Sequence, residues 1–299
     1  MKKLTIFTPT YNRAYCLEQC YNSLISQSNK DFIWLVIDDG SNDNTKEIVG
    51  KWIDDGKIDI IYKYQENQGM HGAHNTAYDL IKTELCTCID SDDFMAPEAV
   101  EKIISIWNNT EHDKNIAGII GLDAYKNGGG IIGKKIPENI KTTTLEDLYH
   151  THKIYGDKKI IYRTEIVKRF PKYPLFKNER FVPLGTLYLL IDKEYKLICS
   201  NEVFCIVEYL EDGSSRNIIK QYRRHPNGFR YARVLNMKNS SYFSVVLKNA
   251  VHYVSHSLFL KDWNFLFKSP KPVLTFFVFP FGLGLYIYTL YQTKDSKTV

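Results

Sequence analysis

Short apolar strands alternate with helical segments over the first ninety residues, and this alternation limits the possible folds more than any other feature of the chain. Strands are predicted at residues 4–8, 32–37, 58–64 and 85–89, and the segments between them repeat their apolar residues with a helical period. Strands that alternate with helices of this length form right-handed crossovers. The pattern therefore predicts an α/β fold with a mainly parallel, twisted sheet and helices on both faces.

Each predicted strand leads into a polar cluster. The clusters read TPTYNR at residues 8–13, DDGS at 38–41, NQG at 67–69 and DSDD at 90–93. Ligands of open α/β sheets bind beyond the carboxyl ends of the strands. The four clusters are therefore expected to meet around one crevice, although together they span more than 80 residues of the sequence.

The fourth cluster places three carboxylates within four residues, namely Asp90, Asp92 and Asp93. Like charges so close together repel, so an ordered arrangement favours a divalent cation. A metal held by one or two carboxylates keeps open positions, and a diphosphate can fill them. The alternative is a solvated acidic turn before the helix predicted near Pro97.

The other clusters suit the remaining parts of a nucleotide. Pro9 and Tyr11 can pack against a flat ring, and Asp39 can accept a hydrogen bond from a base. The first strand is not followed by Gly-x-Gly-x-x-Gly, and the sequence lacks a Gly-Lys-Ser/Thr loop, which disfavours dinucleotide oxidoreductases and P-loop enzymes. These observations predict a base at the first two strands and phosphates at a metal beside the fourth.

In this order and spacing, the clusters resemble the motifs of family 2 glycosyltransferases with the GT-A fold, over about the first 110 residues. The resemblance implies a hexosyltransferase-type enzyme that transfers a sugar, with inversion, from a nucleoside diphosphate sugar, with a UDP-sugar favoured as donor. It also implies Mn²⁺ or Mg²⁺ as cofactor, held at a DxD motif by Asp90 and Asp92. By motif position, the resemblance assigns the rest of the donor site to Pro9, Tyr11, Asp39, Asn67, His74, Asn75, Asp90 and Ser91. His74 stands where the family usually has arginine.

An inverting transfer needs a carboxylate that takes the proton of the acceptor hydroxyl. Residues 176–183 occupy the place of the family's acidic base motif, so the resemblance implies Glu179 as the base. The family's usual Glu-Asp pair reads Glu179-Arg180 here, which leaves open a structural Glu179 paired with Arg180 or Lys177. The reserve candidates are Asp192, Glu208, Glu211 and Asp212.

Charge divides the chain into a predicted catalytic domain at residues 1–212 and a membrane-associating region at 213–299. The first part has 26 Lys and Arg against 32 Asp and Glu, and the second has 13 against 2. Residues 273–291 carry no charge and lie between lysines, so an anionic membrane is the expected partner and nucleic acid is not. Pro280, Gly282 and Gly284 interrupt this stretch, so a membrane span, an in-plane hairpin and packing on the protein all remain open. Residues 245–267 are predicted to form an interfacial amphipathic helix.

The six cysteines lie in apolar segments, which indicates reduced thiols and a cytosolic location. The beginning of the sequence shows no export signal, because Pro9 and Asn12 interrupt its apolar residues. We therefore expect an enzyme at the inner face of the cell membrane that acts on a saccharide or lipid-linked saccharide during surface-polysaccharide synthesis. The alternatives are a sugar nucleotidyltransferase, which normally needs a glycine-rich basic phosphate loop, and a catalytically inactive membrane-bound subunit of the same fold.

Overall fold

The structure is a computed structural model that describes residues 2–110, 113–208 and 217–294. The chain forms two compact units, Met1–Lys172 with Ile191–Tyr209 and Tyr173–Leu190 with Leu210–Val299. The predicted domain boundary between residues 212 and 213 lies outside the described residues.

The first unit contains one large sheet and the helices that cover it. Its strands are β1 (Leu4–Thr10), β2 (Phe32–Asp38), β3 (Asp59–Tyr64), β4 (Leu85–Cys88), β5 (Phe94–Met95), β6 (Ile116–Tyr125), β7 (Thr142–Thr143), β8 (Lys158–Arg163) and β9 (Lys196–Val207). Its helices are α1 (Ala14–Ile25), α2 (Thr45–Asp55), α3 (Met70–Leu80), α4 (Ala99–Asn108), α5 (Leu145–His150) and α6 (Thr164–Val167). Helix α7 (Gly185–Asp192) follows later in the chain.

The strands lie in the order β3-β2-β1-β4-β8-β6-β9-β5, and β7 pairs with β9. Strands β1 to β4 pair in parallel, as their alternation with helices predicts. The sheet as a whole is mixed, however, because β8 runs antiparallel to β4 and β6, and β5 and β7 run antiparallel to β9. The expectation of a mainly parallel sheet thus holds for β1 to β4, whereas beyond β4 antiparallel pairs occur beside the parallel pair of β6 and β9. The long crossover helices end with α4, and antiparallel pairing does not need them.

Helices cover both faces of the sheet, as predicted. Leu4 and Ile6 of β1 belong to a buried cluster that also includes apolar residues of α1, α2 and α4. Phe7 points to the opposite face, because neighbouring side chains of a strand alternate. There its ring contacts His74 and Tyr78 of α3, with centroids 5.0 and 5.5 Å away.

The second unit is helical in its described part. It includes residues 185–190 of α7, and its other elements are α8 (Ile218–Arg224), α9 (Pro226–Asn239), α10 (Phe243–Phe259), α11 (Phe265–Lys268), α12 (Pro272–Phe277) and α13 (Phe279–Gln292). Helix α10 is central, since Ala250, Tyr253 and Val254 are fully buried in one cluster with residues of α9, α11 and the turn before α13. Residues 245–267, expected to form one interfacial amphipathic helix, are divided between α10 and α11, and one side of α10 is buried within the unit. Of the helices in the described ranges, none is long and apolar enough to span a bilayer.

Candidate functional site

The loops after β1 and β2 are joined by direct hydrogen bonds. The backbone N–H of Asn12 donates to Ser41 Oγ at 2.9 Å, and the N–H of Asn42 donates to Asn12 Oδ1 at 2.8 Å. The N–H of Ala14, at the start of α1, donates to Asp43 Oδ2 at 3.0 Å. The first two polar clusters of the sequence therefore form one connected edge of the sheet.

Asp39 joins the end of β2 to the loop before α3. Its Oδ1 accepts hydrogen bonds from Gln65 Nε2 at 2.7 Å and from the N–H of Gln68 at 2.9 Å, and its Oδ2 accepts from the N–H of Gly69 at 2.7 Å. Gly40 has a φ of +90°, and a Cβ atom there would lie only 2.9 Å from the backbone nitrogen of Asn67. Asp39, predicted to bind a base, thus also determines the conformation of the loop that carries Asn67.

The DSDD cluster adjoins the first loop. Arg13 NH1 lies 3.9 Å from Asp92 Oδ2, and Gln19 Nε2 donates to the backbone oxygen of Asp92 at 2.7 Å. The side chains of Arg13 and Asp92 are each 22% exposed, and Asp90 is half-buried. A guanidinium therefore lies beside the carboxylate that is predicted to bind a metal.

Asp93 differs from Asp90 and Asp92. It is buried, its Oδ1 accepts the N–H of Glu208 at 3.3 Å, and its Oδ2 lies 3.7 Å from Cys205 Sγ. Burial, together with the neighbouring carboxylates Asp90 and Asp92, raises the pKa of Asp93 to about 7 against the lowering effect of Lys159. The third carboxylate thus contacts β9 and the residue that follows it, and two carboxylates remain for a cation.

Asp90 and Asp92 fit a metal that takes few protein ligands. Within residues 2–110, 113–208 and 217–294, no three or more His, Cys, Asp or Glu side chains are grouped as a closed metal site. Mg²⁺ and similar hard cations are usually bound by one or two carboxylates and complete their shell with phosphate oxygens and water. The donor chemistry at the end of β4 is of this type.

The remaining predicted donor-site residues have different environments. Pro9 lies in β1 opposite Ile37 and is buried, whereas the ring of Tyr11 is 47% exposed in the loop that follows. His74 is 1% exposed, and its Nδ1 lies 2.9 Å from the backbone oxygen of Met70. Burial lowers its pKa and favours the neutral ring. His74 thus lies in the packing between α3 and β1 and not on the surface, and Asn75 and Ser91 are also buried.

Glu179 belongs to the second unit and contacts the beginning of α9. Its Oε1 accepts hydrogen bonds from the backbone N–H of Asn227 at 3.0 Å and from the side-chain Nδ2 of Asn227 at 2.8 Å. Its Oε2 accepts a hydrogen bond from the backbone N–H of Gly228 at 2.9 Å. The N–H groups in the first turn of a helix have no partner within the helix, so a carboxylate there stabilises the helix. Among the described residues, these groups donate the hydrogen bonds to the Glu179 carboxylate, and neither Arg180 nor Lys177 does.

The reserve candidates for the base also have partners. Asp192 Oδ2 accepts the N–H of Glu146 at 2.8 Å, and burial raises its pKa to about 7. Glu208 forms an ion pair with Lys126, with Nζ and Oε2 2.7 Å apart. Glu211 and Asp212 lie outside the described residues.

Lys159 of β8 is a residue that sequence reasoning missed. Its Nζ donates to the backbone oxygen of Cys88 at 3.2 Å, directly before the DSDD cluster. Burial opposes its charge, but surrounding acidic groups raise its pKa well above the ordinary value; they are Cys205, Asp123, Asp93 and Asp90. Because burial keeps the Cys205 thiol neutral, the carboxylates account for this effect. A lysine directly before the apolar pair Ile160 and Ile161 of a strand was the available signal.

Comparisons with known proteins relate the chain to one family and to several proteins. The family described as "Glycosyl transferase family 2" matches residues 5–170, more than half of the chain. The poly(ribitol-phosphate) beta-N-acetylglucosaminyltransferase TarP of Staphylococcus aureus is 24% identical over 264 residues, which cover 83% of this chain and 75% of TarP. An uncharacterized Nostoc glycosyltransferase is 26% identical over 149 residues, and the match covers 48% of this chain and less than half, 46%, of that protein.

Two solved structures share the fold. S. aureus TarS in complex with UDP-GlcNAc superposes with a TM-score of 0.61 at 17% identity, covering 99% of this chain and 93% of that chain. The mannosyltransferase PcManGT of Pyrobaculum calidifontis, in complex with GDP-Man and Mn²⁺, gives 0.55 at 15% identity, covering 99% and 76%. At these identities the likeness establishes the architecture of the sheet and its helices.

Proposed function

Because the chain belongs to glycosyl transferase family 2, we propose that it transfers a sugar, with inversion, from a nucleoside diphosphate sugar to a saccharide acceptor. A UDP-sugar is the favoured donor, since TarS, which has the same fold, binds UDP-GlcNAc. The observation that carries the proposal is the contact network at the carboxyl ends of β1 to β4. It joins four loops that are far apart in the sequence, as a ligand containing a base, two phosphates and a cation requires.

The proposed donor site assigns a different task to each loop. The exposed ring of Tyr11 stacks on the base. The loop at Asn67, which is held by hydrogen bonds to Asp39, borders the nucleoside. Asp90 and Asp92 would hold Mn²⁺ or Mg²⁺, and a bound metal of this kind neutralises charge that develops on a leaving diphosphate. Arg13, beside Asp92, places a further cation at the same end of the site.

The base remains a prediction from motif position. A carboxylate has about four acceptor positions, and the N–H groups of Asn227 and Gly228 use three of those on Glu179. The remaining position, on Oε2, is sufficient to accept one proton from an acceptor hydroxyl. We therefore propose that Glu179 both orders the start of α9 and serves as the base.

We further propose that the acceptor is a cell-surface glycopolymer or its lipid-linked precursor, and that transfer occurs at the inner face of the membrane. The name of TarP, a poly(ribitol-phosphate) glycosyltransferase matched over 83% of this chain, supports the polymer. The strongly basic composition of the last 87 residues supports an anionic partner.

The direct test is a panel of UDP-, GDP- and dTDP-sugars, assayed with Mn²⁺ for release of the nucleoside diphosphate. We expect one donor class to be used and Asp92→Ala to lower its rate at least about a hundredfold, equivalent to about 2.7 kcal/mol. Asp54→Ala, which removes an exposed carboxylate of α2, is the matched control.

Each other outcome has a distinct meaning. Full activity of Asp92→Ala, or activity that a chelator leaves unchanged, would refute the metal site. Pyrophosphate as the product would indicate a nucleotidyltransferase. Nucleotide binding without turnover of any donor, with or without candidate acceptors, would indicate a non-catalytic subunit.

A further inference from the structure

Helices α12 and α13 turn their small residues toward the protein and their aromatic residues outward. Thr289 and Thr293 are 1% exposed and Gly282 is buried, whereas Phe281 is 70% and Tyr288 50% exposed. Helices on the surface of globular proteins normally show the opposite arrangement, with the apolar side facing the core. The reversal is typical of helices whose outer surroundings are apolar.

Packing fixes this orientation. A Cβ atom at Gly282 would lie 2.4 Å from Val254 Cβ, so α13 approaches α10 more closely than any larger residue allows. In α12, Thr275 is fully buried and its Oγ1 lies 2.6 Å from Ser269 Oγ. A rotation that buried the aromatic side of these helices would therefore break both contacts.

The exposed side forms a regular stripe. Residues 281, 284, 288 and 291 of α13 follow one another at spacings of three and four, so they share one face of that helix. The neighbouring α11 and the turn before it add Phe267, 87% exposed, and Trp263, 74% exposed. We define the aromatic face by its large exposed rings, which are Trp263, Phe267, Phe276, Phe277, Phe281, Tyr288 and Tyr291.

The charges in this region are almost all positive. Residues 261–294 contain Lys261, Lys268, Lys271 and Lys294 and a single acid, Asp262. Asp262 is already bound by Arg230 and Lys268, at 2.7 and 2.8 Å. Pairing the face with the same face of a second copy would bring like charges together, whereas an anionic lipid surface is complementary in both charge and apolar character.

Helix length favours binding along the surface over crossing the bilayer. Helix α13 has 14 residues, which corresponds to about 21 Å, shorter than the roughly 30 Å of a hydrocarbon core. Phe and Trp rings together with lysines that reach back to the headgroups are typical of helices that lie in the interface.

We propose that the aromatic face inserts into the headgroup boundary of an anionic bilayer, with α12 and α13 lying along the membrane plane. This surface defines how the proposed membrane association occurs, and it functions independently of the transfer chemistry.

The test is co-sedimentation of the full chain with vesicles of phosphatidylcholine, with or without phosphatidylglycerol. We expect binding to the anionic vesicles, reduced at least about tenfold by Phe277→Ser/Phe281→Ser. The charge-reversed Lys261→Glu/Lys271→Glu leaves every buried contact intact and should reduce binding to anionic vesicles similarly. Tyr64→Ser/Tyr155→Ser removes two comparably exposed rings of the first unit and should bind as the wild type does.

Three results would overturn the proposal. The first is that the wild type binds neutral and anionic vesicles equally. The second is that both variants of the aromatic face bind vesicles as the wild type does. The third is that the wild type is a dimer, and that Phe277→Ser/Phe281→Ser dissociates the dimer but still binds vesicles. Release of nucleoside diphosphate in the absence of vesicles should be the same in all variants. A loss of that activity would concern the proposed function and not the membrane surface.

Discussion

The carboxylate of Asp39 accepts a hydrogen bond from the backbone N–H of Gly69 at 2.7 Å, although the two residues are 30 positions apart. This bond joins the carboxyl end of β2 to the N-terminus of α3. Together with the bonds from Gln65 and Gln68, it orders the loop that borders the proposed nucleoside site. The loop is therefore positioned before any ligand arrives.

Replacement of Asp39 tests the role of these hydrogen bonds. In Asp39→Asn an NH₂ group faces N–H donors, so we expect a loss of about 1–3 kcal/mol in the free energy of unfolding, and weaker nucleotide binding. Gln65→Ala is the control, since it removes one bond and leaves both backbone donors paired. Denaturant unfolding and nucleotide titration measure the two effects. If Asp39→Asn had the stability and the nucleotide affinity of the wild type, Asp39 would not be what orders this loop.

Glu179→Gln tests the two proposed tasks of Glu179. The variant retains one acceptor oxygen for three N–H donors, so we expect the free energy of unfolding to fall by about 1–3 kcal/mol. If Glu179 is also the base, transfer by the folded variant should fall at least about a hundredfold. Asn227→Ala, which removes only the side-chain donor, should lower stability less and leave the transfer rate unchanged. A stable but inactive Glu179→Gln would indicate a base without a structural task.

Two glycines of α13 form a matched pair. Gly282→Ala forces a Cβ atom to within 2.4 Å of Val254 Cβ, so we expect a loss of about 1–3 kcal/mol in stability. Gly284→Ala adds a methyl group with no atom within 4 Å and should stabilise the helix by about 0.5–1 kcal/mol. Thermal unfolding measures both changes, and equal effects would refute the close approach of α13 to α10.

Two histidines of α10, the buried His256 and the partly buried His252, should make the second unit sensitive to acid. Burial, and then the charges of Arg233 and Lys248, lowers the pKa of His252 to about 3, and burial and Arg233 lower the pKa of His256 well below its ordinary value of 6.5. The unfolded chain takes up these protons near pH 6.5 and the folded chain only at much lower pH. Stability is therefore complete above pH 6.5 and declines as the pH falls toward about 3, by at most about 1.4 kcal/mol per pH unit for each histidine.

His252→Gln and His256→Leu test this pH dependence. Each variant should show a shallower decline in the free energy of unfolding between pH 7 and pH 4, whatever its stability at pH 7. His150→Gln, which replaces a partly exposed histidine of α5, should keep the slope of the wild type. Identical slopes in all four proteins would exclude the two imidazoles as the cause.

Local patterns were sufficient to predict β1 to β4 and the meeting of their polar ends. Strand and helix periods depend on neighbouring residues, and the geometry of parallel crossovers then brings strand ends such as Asp39 and Asp92 to one edge. The directions of individual side chains were not predictable in this way. Asp93 turns toward Cys205 and Glu208, more than 110 residues away, and His74 packs under Phe7 of β1.

The sequence alone determined the order of the motifs, the basic character of the last 87 residues and the uncharged stretch at 273–291. Only the tertiary structure decided that Lys159 lies among the carboxylates, and that the rings of Phe277 and Phe281 face outward. The physical reason is that hydropathy records how apolar a residue is, whereas its direction depends on the element packed against it. For α13 that element is α10, and the approach of Gly282 to Val254 sets the direction.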